Sequence, residues 1–264
     1  MTGLSQEIDW DYFGQAVEYQ KQAKYQEAIE IYSELLEVDS NIYGCWKNRG
    51  QCFYSLSEYN YALHDFYKAI HLNQSDSSLF FCIGLTHVNI GKWNKGIEFL
   101  NYAVEKSYPR NETYFQNIGT CYYFLGKMDS AIKYLSSSYE INPENRNTLT
   151  NLAFAYQNSN PSKSCQLFQQ VYNIDSLNAQ TINNLGYSHY LCGNLNDAYS
   201  YYQKALSMDA KNSYLHRNIG LYYQRKNDIN NACRHLQKAI ELDFIKDWGD
   251  NEIEELMNFC QNKK

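Results

Sequence analysis

Five asparagines, Asn48, Asn117, Asn151, Asn184 and Asn218, recur along the chain at intervals of 33 or 34 residues, with one gap of 69. A carboxamide carries a donor pair and an acceptor in one flat group. A row of them can satisfy both the N–H and the C=O of an extended peptide backbone without choosing its side chains. The other chemistry-bearing residues form no such series. The histidines, His64, His71, His87, His189, His216 and His235, fall in no HExxH or similar metal spacing. There is no G-x-x-x-x-G-K-[ST], no G-x-G-x-x-G and no G-x-S-x-G. Asp39, Asp175, Asp209 and Asp243 stand at equivalent places and read as caps for the following turn. No nucleophile, metal site or acid–base pair emerges, so the chain is not expected to be an enzyme or to need a cofactor.

The elements that position the asparagines are most legible in Trp46 to Gln74. Trp46, Arg49, Gly50 and Phe53 fall at spacings of three and four, as do Tyr59, Ala62, Phe66 and Ala69. Such spacings put side chains on one face of a helix. The stretch therefore predicts two helices separated by a short break at Leu56-Ser57-Glu58, meeting closely at Gly50 and Ala62. Neither helix can bury its stripe alone. The first-helix pattern recurs around Ala16, Gly50, Gly84, Gly119, Ala153, Gly186 and Gly220, at steps of 34, 34, 35, 34, 33 and 34 residues. A fixed period of this length is the signature of a helical repeat array.

The pattern resembles the tetratricopeptide repeat (TPR) family, a 34-residue helix–turn–helix with W-x2-L-G-x2-Y, a mid-repeat Ala and a closing Pro. The resemblance covers about residues 9–246. It implies an all-α fold, a right-handed TPR superhelical solenoid of seven helix–turn–helix repeats plus a C-terminal capping helix. Residues 1–264 then form a single array, with repeats at about 9–42, 43–76, 77–111, 112–145, 146–178, 179–212 and 213–246 and the cap at about 250–262. Asp9 is expected to cap the first helix. The extra residue of the third repeat is expected in the turn near Pro109, and Pro161 at the start of a helix in the short fifth repeat.

In TPR arrays the face two residues before each small residue lines the concave groove, so the resemblance implies an Asn row on the groove floor. That row is similar to the asparagine ladder of the TPR part of O-linked N-acetylglucosamine transferase. The same amides could instead bond to the neighbouring helix, and both readings stand at this point. Phe81, Tyr123, Phe154, Tyr187 and Tyr190 lie one turn along, and Lys47 and Arg217 offer positive charge. Tyrosine supplies broad contact area at low entropic cost. The two-carboxylate clamp of chaperone-binding TPR domains is not matched, because the third repeat offers Phe81 and Cys82 where that clamp needs a base. The expected function is protein–protein interaction, with an extended segment of a partner protein held in the groove. The alternative is a self-associating assembly scaffold, a homo-oligomer using its outer surfaces with the groove unoccupied.

Charge and composition narrow the partners. Net charge is −6, from 23 Lys and Arg against 29 Asp and Glu, with no basic tract, which argues against nucleic acid. No apolar run approaches the roughly 18 residues a membrane span needs. The start, MTGLSQEIDW, has neither the cationic end nor the apolar core of a signal peptide. Eight cysteines in a long, helical chain of this kind are expected to be reduced thiols of a cytoplasmic protein.

Overall fold

A computed structural model describes residues 10–244 together with Asn258 and Cys260. Among the described residues there are fourteen helices and no strand. They fall into two compact units, 1–141 and 142–264. The first unit holds α1 (Trp10–Lys21), α2 (Tyr25–Val38), α3 (Tyr43–Ser55), α4 (Tyr59–Leu72), α5 (Ser77–Asn89), α6 (Trp93–Glu105), α7 (Glu112–Phe124) and α8 (Met128–Ile141). The second holds α9 (Arg146–Tyr156), α10 (Pro161–Ile174), α11 (Ala179–Leu191), α12 (Leu195–Met208), α13 (Ser213–Arg225) and α14 (Ile229–Glu241). Odd and even helices pair as seven hairpins, and within each unit every hairpin packs against the next. In the first unit α1, α3, α5 and α7 also touch in succession, as do α11 and α13 in the second.

Each hairpin closes on its small residue. A Cβ built at Gly119 would stand 2.6 Å from Leu135 Cγ and 3.0 Å from the Leu135 backbone nitrogen. At Gly50 the obstacle is the Phe66 ring, at 2.8 Å. Real Cβ atoms do not tolerate 2.6 Å, so the helix of the small residue can lie this close only without a side chain. The turn that follows places a residue in the left-handed region at the same point of six repeats: Ala23, Ser57, Gly91, Gly126, Gly193 and Asn227. There Lys24 N–H reaches back to Tyr19 C=O at 2.9 Å and Ala23 N–H to Gln20 C=O at 3.0 Å, the hydrogen-bond pattern of a Schellman helix stop.

The odd helices start on side-chain caps. Asn111, Asn145, Asn178 and Asn212 accept from a backbone N–H in the first turn of α7, α9, α11 and α13, and Asp76 does so for α5. Asp39, Asp175 and Asp209 instead close the preceding helices, and Asp39 and Asp209 each accept from the backbone N–H two residues on. The six residues 106–111 between α6 and α7 absorb the extra residue of the third repeat, and Pro161 is the first residue of α10. Asp9 lies outside the described residues. So does the expected cap at 250–262, except for Asn258 and Cys260, both helical.

Two polar features cross the helix interfaces. In the first unit, Asp65 is 1% exposed and takes two bonds from Arg49, Nε to Oδ2 at 2.7 Å and Nη2 to Oδ1 at 3.0 Å. Arg49 Nη1 donates to Ser33 Oγ at 2.9 Å, so one guanidinium joins α2, α3 and α4. A fork-to-fork pair of this kind meets the buried charges in full. In the second unit, His216 of α13 and His235 of α14 face each other with their Nδ1 atoms 3.0 Å apart, and His216 Nε2 donates to the Ala210 carbonyl. The His235 ring also stacks on Tyr223.

The cysteine expectation is corrected at one pair: Cys233 of α14 and Cys260 form a disulfide, with Cα atoms 5.6 Å apart. Among the described residues the other six cysteines are free thiols. Burial pushes Cys45, Cys52 and Cys121 up to about 12 and Cys82 up to about 11, so these four behave as small core residues. A disulfide closing a loop of this length restricts the unfolded chain, an effect of about 3 kcal/mol in the chain-entropy account.

Two predictions follow from this packing. Gly119→Ala should lower the urea midpoint, at an overpacking cost of about 1–3 kcal/mol, whereas Gly14→Ala, where a Cβ meets nothing within 4 Å, should raise it by up to about 1 kcal/mol. Equal midpoints would contradict the close approach at Gly119. Burial, then the neighbouring His216 and Arg234, pull His235 down to about 4, against about 6.5 in an unfolded chain. The unfolded chain then binds more protons between these values, so this contribution is whole above about pH 6.5 and is lost as pH falls towards about 4. Melting temperature should drop over that window in the wild type and drop less in His235→Phe.

Candidate functional site

In the first unit the face shared by α1 and α3 holds a cavity of about 580 Å³ lined by Val17, Gln20, Lys21, Tyr25, Asn48, Gln51, Tyr54 and Ser55. Its floor is an amide network. Asn48 Nδ2 donates to the Tyr32 hydroxyl at 3.3 Å, that hydroxyl donates to Gln20 Oε1 at 3.1 Å, and Gln20 Nε2 donates to Gln51 Oε1 at 3.2 Å. Further along, Asn89 Nδ2 donates to the Tyr54 hydroxyl at 2.7 Å, linking α3 to α5. Phe81 stacks on Tyr108 with centroids 4.1 Å apart.

Lys47 does not stand open on this face. Its Nζ donates to Asp76 Oδ2 at 2.7 Å and to Ser78 Oγ at 3.0 Å, and the Tyr43 hydroxyl donates to the same carboxylate. Burial raises the Asp76 pKa, but the bonds from Lys47, Ser78 and Tyr43 outweigh it and hold the carboxyl well below the usual range. The lysine ties α3 to the cap of α5. Asn117 Nδ2 donates to Thr113 C=O of its own helix at 2.8 Å, and Tyr123 is half-buried with its ring edge-on to Phe124.

In the second unit the face of α11 and α13 carries a different arrangement. Asn218 Nδ2 donates to Asn183 Oδ1 at 3.0 Å, and Asn218 Oδ1 accepts from Arg217 Nη1 at 2.9 Å. Tyr187 and Tyr190 stack at 5.8 Å. Arg217 lies over Tyr187 at 5.1 Å and Arg225 over Tyr190 at 5.2 Å. Arg225 Nη1 also donates to the Tyr190 carbonyl at 2.7 Å. Asn184 Oδ1 accepts from Gln180 Nε2 at 2.8 Å, and Gln180 Oε1 accepts from Asn212 Nδ2 at 3.0 Å. Asn151 of α9 is half-buried, and Phe154 sets its ring edge-on to Phe168 at 5.1 Å.

Beneath this face two buried polar atoms have no hydrogen-bond partner: Asn183 Nδ2 and the Tyr202 hydroxyl. The hydroxyl lies beside Tyr187, Tyr190 and Arg217, and burial raises it well above the ordinary tyrosine value. Tyr202 holds the place that Tyr32 holds in the first repeat, and Tyr190 the place of Gln20. At Tyr32 the glutamine accepts the hydroxyl proton. At Tyr202 a tyrosine ring has replaced that acceptor, and the asparagine that would face it, Asn218, is turned to Asn183. An unmet buried donor costs roughly 1–3 kcal/mol.

The positions expected to bind are thus of two kinds. Asn48, Asn218 and Lys47 are tied to neighbouring helices. Asn117 and Asn184 each spend one end of the amide on their own helix. The sequence reading missed Asn183, Tyr202, Gln20, Gln51 and Arg225. Asn183 was findable, because it stands three residues before its Gly, where Lys47, Phe81 and Arg217 also stand. Among the described residues no group of three or more His, Cys, Asp or Glu could hold a metal ion, and no helix is long and apolar enough to cross a membrane.

Two models of the tetratricopeptide repeat match the chain, one over residues 44–76 and the other over 12–42, 113–145, 179–212 and 217–245, together more than half of its length. The chain belongs to the tetratricopeptide repeat family. The third and fifth TPR repeats, with their odd lengths, are the two left unmatched. No curated protein matches the chain at a significant level. Among solved structures it is similar to YrrB, described as a TPR protein with an unusual peptide-binding site, at 18% identity and a TM-score of 0.57, over 70% of this chain and 95% of that one. It is similar to a chain of the APC/C hetero-tetramer Cut9–Hcn1 at 16% identity and a TM-score of 0.70, spanning 97% of this chain but 49% of that one. It is also similar to pilF of Pseudomonas aeruginosa at 16% identity and a TM-score of 0.65, over 85% of this chain and 98% of that one. At these identities the likeness is one of fold.

Phe66 and Phe168 occupy the place of Tyr202 in other TPR repeats, so Tyr202→Phe should pack normally. It removes the unmet donor and should raise stability by about 1 kcal/mol or more, read as a higher melting temperature. A fall in melting temperature would show that the hydroxyl is satisfied in the free protein.

Proposed function

We propose that this protein–protein interaction module binds an extended peptide segment of a partner protein on the faces of its odd-numbered helices. The observation that carries the reading is the pair of buried, unpartnered donors, Asn183 Nδ2 and Tyr202 Oη, under the stacked Tyr187 and Tyr190. Two donors without acceptors match the backbone carbonyls of a bound strand. The tyrosine faces supply contact area for its side chains, and Arg225 caps one of them.

Within the asparagine row we assign separate duties. Among the described residues Asn184 keeps its NH2 group uncommitted, and Asn117 keeps its carbonyl oxygen, so these two offer one donor and one acceptor to a peptide backbone. Asn48 and Asn218 hold neighbouring repeats together and shape the floor. Phe81, Tyr123, Phe154 and Tyr187 supply apolar contact, and the proposed site is cytoplasmic. Self-association is the competing reading. It draws on apolar residues exposed at helix ends, such as Ile174 at 50% and Met208 at 43% in the second unit.

The test separates these duties. Extended peptides selected from a random library on the full-length protein should bind with an affinity that falls about tenfold or more in Asn117→Ala/Asn184→Ala, at one lost hydrogen bond of about 1 kcal/mol each. Melting temperature should barely change. Asn48→Ala and Asn218→Ala should do the reverse and lower melting temperature by removing a bond between repeats. Failure to select any peptide, together with a concentration-dependent dimer in sedimentation, would replace this reading with self-association.

A further inference from the structure

The Cys233–Cys260 disulfide has a counterpart two repeats earlier. Cys233 is the fifth residue of α14, and Cys165 is the fifth residue of α10. Cys192 stands six residues after Gly186, and Cys260 stands at the corresponding point two periods of 34 residues further on. The bonded pair is 27 residues apart, and Cys165 and Cys192 are the same distance apart in sequence. At the same two places the other repeats carry Ile29 and Leu56, Leu63 and Ile90, Ile97 and Leu125, Ile132 and Ser159, and Tyr199 and Lys226. The register thus joins an even helix to the end of the next odd helix, and cysteine fills both ends of it twice.

The two thiols already meet. Cys165 on α10 is in hydrogen-bonding contact with Cys192, the residue that ends α11, and with Ser188. Both are half-buried, so a small reagent can reach them, while Cys45, Cys52 and Cys121 are fully buried. No third or fourth ligand stands by to make this a metal site among the described residues.

We propose that Cys165 and Cys192 form a second, oxidisable disulfide that clamps α10 to the end of α11. With a small-molecule disulfide such as oxidised glutathione as oxidant, one thiolate attacks a glutathione sulfur, breaking its S–S bond and releasing one reduced glutathione. The other thiolate then displaces the second glutathione from the mixed disulfide. Two S–H bonds and one S–S bond are broken, one protein S–S bond forms, and both protons and both electrons end on two molecules of reduced glutathione. Burial raises the Cys165 pKa, so this exchange runs faster as pH rises. The clamp fixes the helix that carries Asn183, Tyr187 and Tyr190.

The experiment starts from full-length protein, fully reduced and freed of reductant. After incubation with oxidised glutathione the protein is quenched with N-ethylmaleimide, unfolded, alkylated again with a heavier maleimide, digested and weighed. The expected result is a peptide pair joined through Cys165 and Cys192, lighter by two hydrogens than its reduced parts, beside the re-formed Cys233–Cys260 pair. Cys45, Cys52 and Cys121 should carry maleimide alone. Recovery of Cys165 and Cys192 as separate maleimide or glutathione adducts, with Cys233–Cys260 re-formed, would overturn the proposal. A variant with Cys165→Ile and Cys192→Leu takes the residues of the first register pair and should fold with unchanged helix content. It should melt at the same temperature as reduced wild type and below oxidised wild type. An oxidised wild type that melts no higher than the oxidised variant would also overturn it.

Discussion

The approach of a glycine on each odd helix to a bulky side chain on the following even helix governs most of what this chain can do. Leu135 over Gly119, Leu236 over Gly220 and Phe66 over Gly50 fill the space that a Cβ would claim. The bulky partner therefore lies directly under the odd helix. When it is leucine or phenylalanine, the interface is apolar and ends there. When it is tyrosine, as at Tyr32 and Tyr202, the ring fills the same space and its hydroxyl extends towards the amides of the binding face. The identity of one core residue thus decides whether a repeat has a purely packed floor or a polar one.

Those two tyrosines resolve the extra hydroxyl differently. Gln20 and Asn48 surround the first, and the resulting network is closed. The second has no acceptor, because Tyr190 gives up hydrogen bonding for stacking against Tyr187 and Arg225. Stacked rings and cations supply contact energy, and they do so at the expense of the polar group beneath. A face with that imbalance is better matched by a ligand carrying carbonyl oxygens than by an apolar surface.

How much of this is legible in the sequence follows from the range of each interaction. The helices are legible because their stripes repeat at spacings of three and four, and the hairpins because Gly50, Gly84, Gly119, Gly186 and Gly220 keep the period. Pro161 marks a helix start by its own chemistry. Lys47 is misleading, because its partner Asp76 belongs to the next repeat and caps another helix. The capping residues are Asn111, Asn145, Asn178 and Asn212 rather than the aspartates three residues before, since the backbone dihedrals of the turn decide which side chain meets the free N–H groups. The disulfide is hidden because Cys260 lies beyond the seven recurring first-helix patterns, where no register is available to pair it with Cys233. Asn183 hides for a simpler reason: it adjoins the more regular Asn184.

Within each unit every helix packs only on the next or the next but one. Such a chain need not bring distant segments together before contacts reward it, because each hairpin joins residues a few dozen positions apart at most. Low contact order of this kind goes with folding in microseconds to milliseconds. It also allows a nascent chain to complete one hairpin before the following one has been synthesised. Such a protein can begin to acquire its binding faces while still attached to the ribosome.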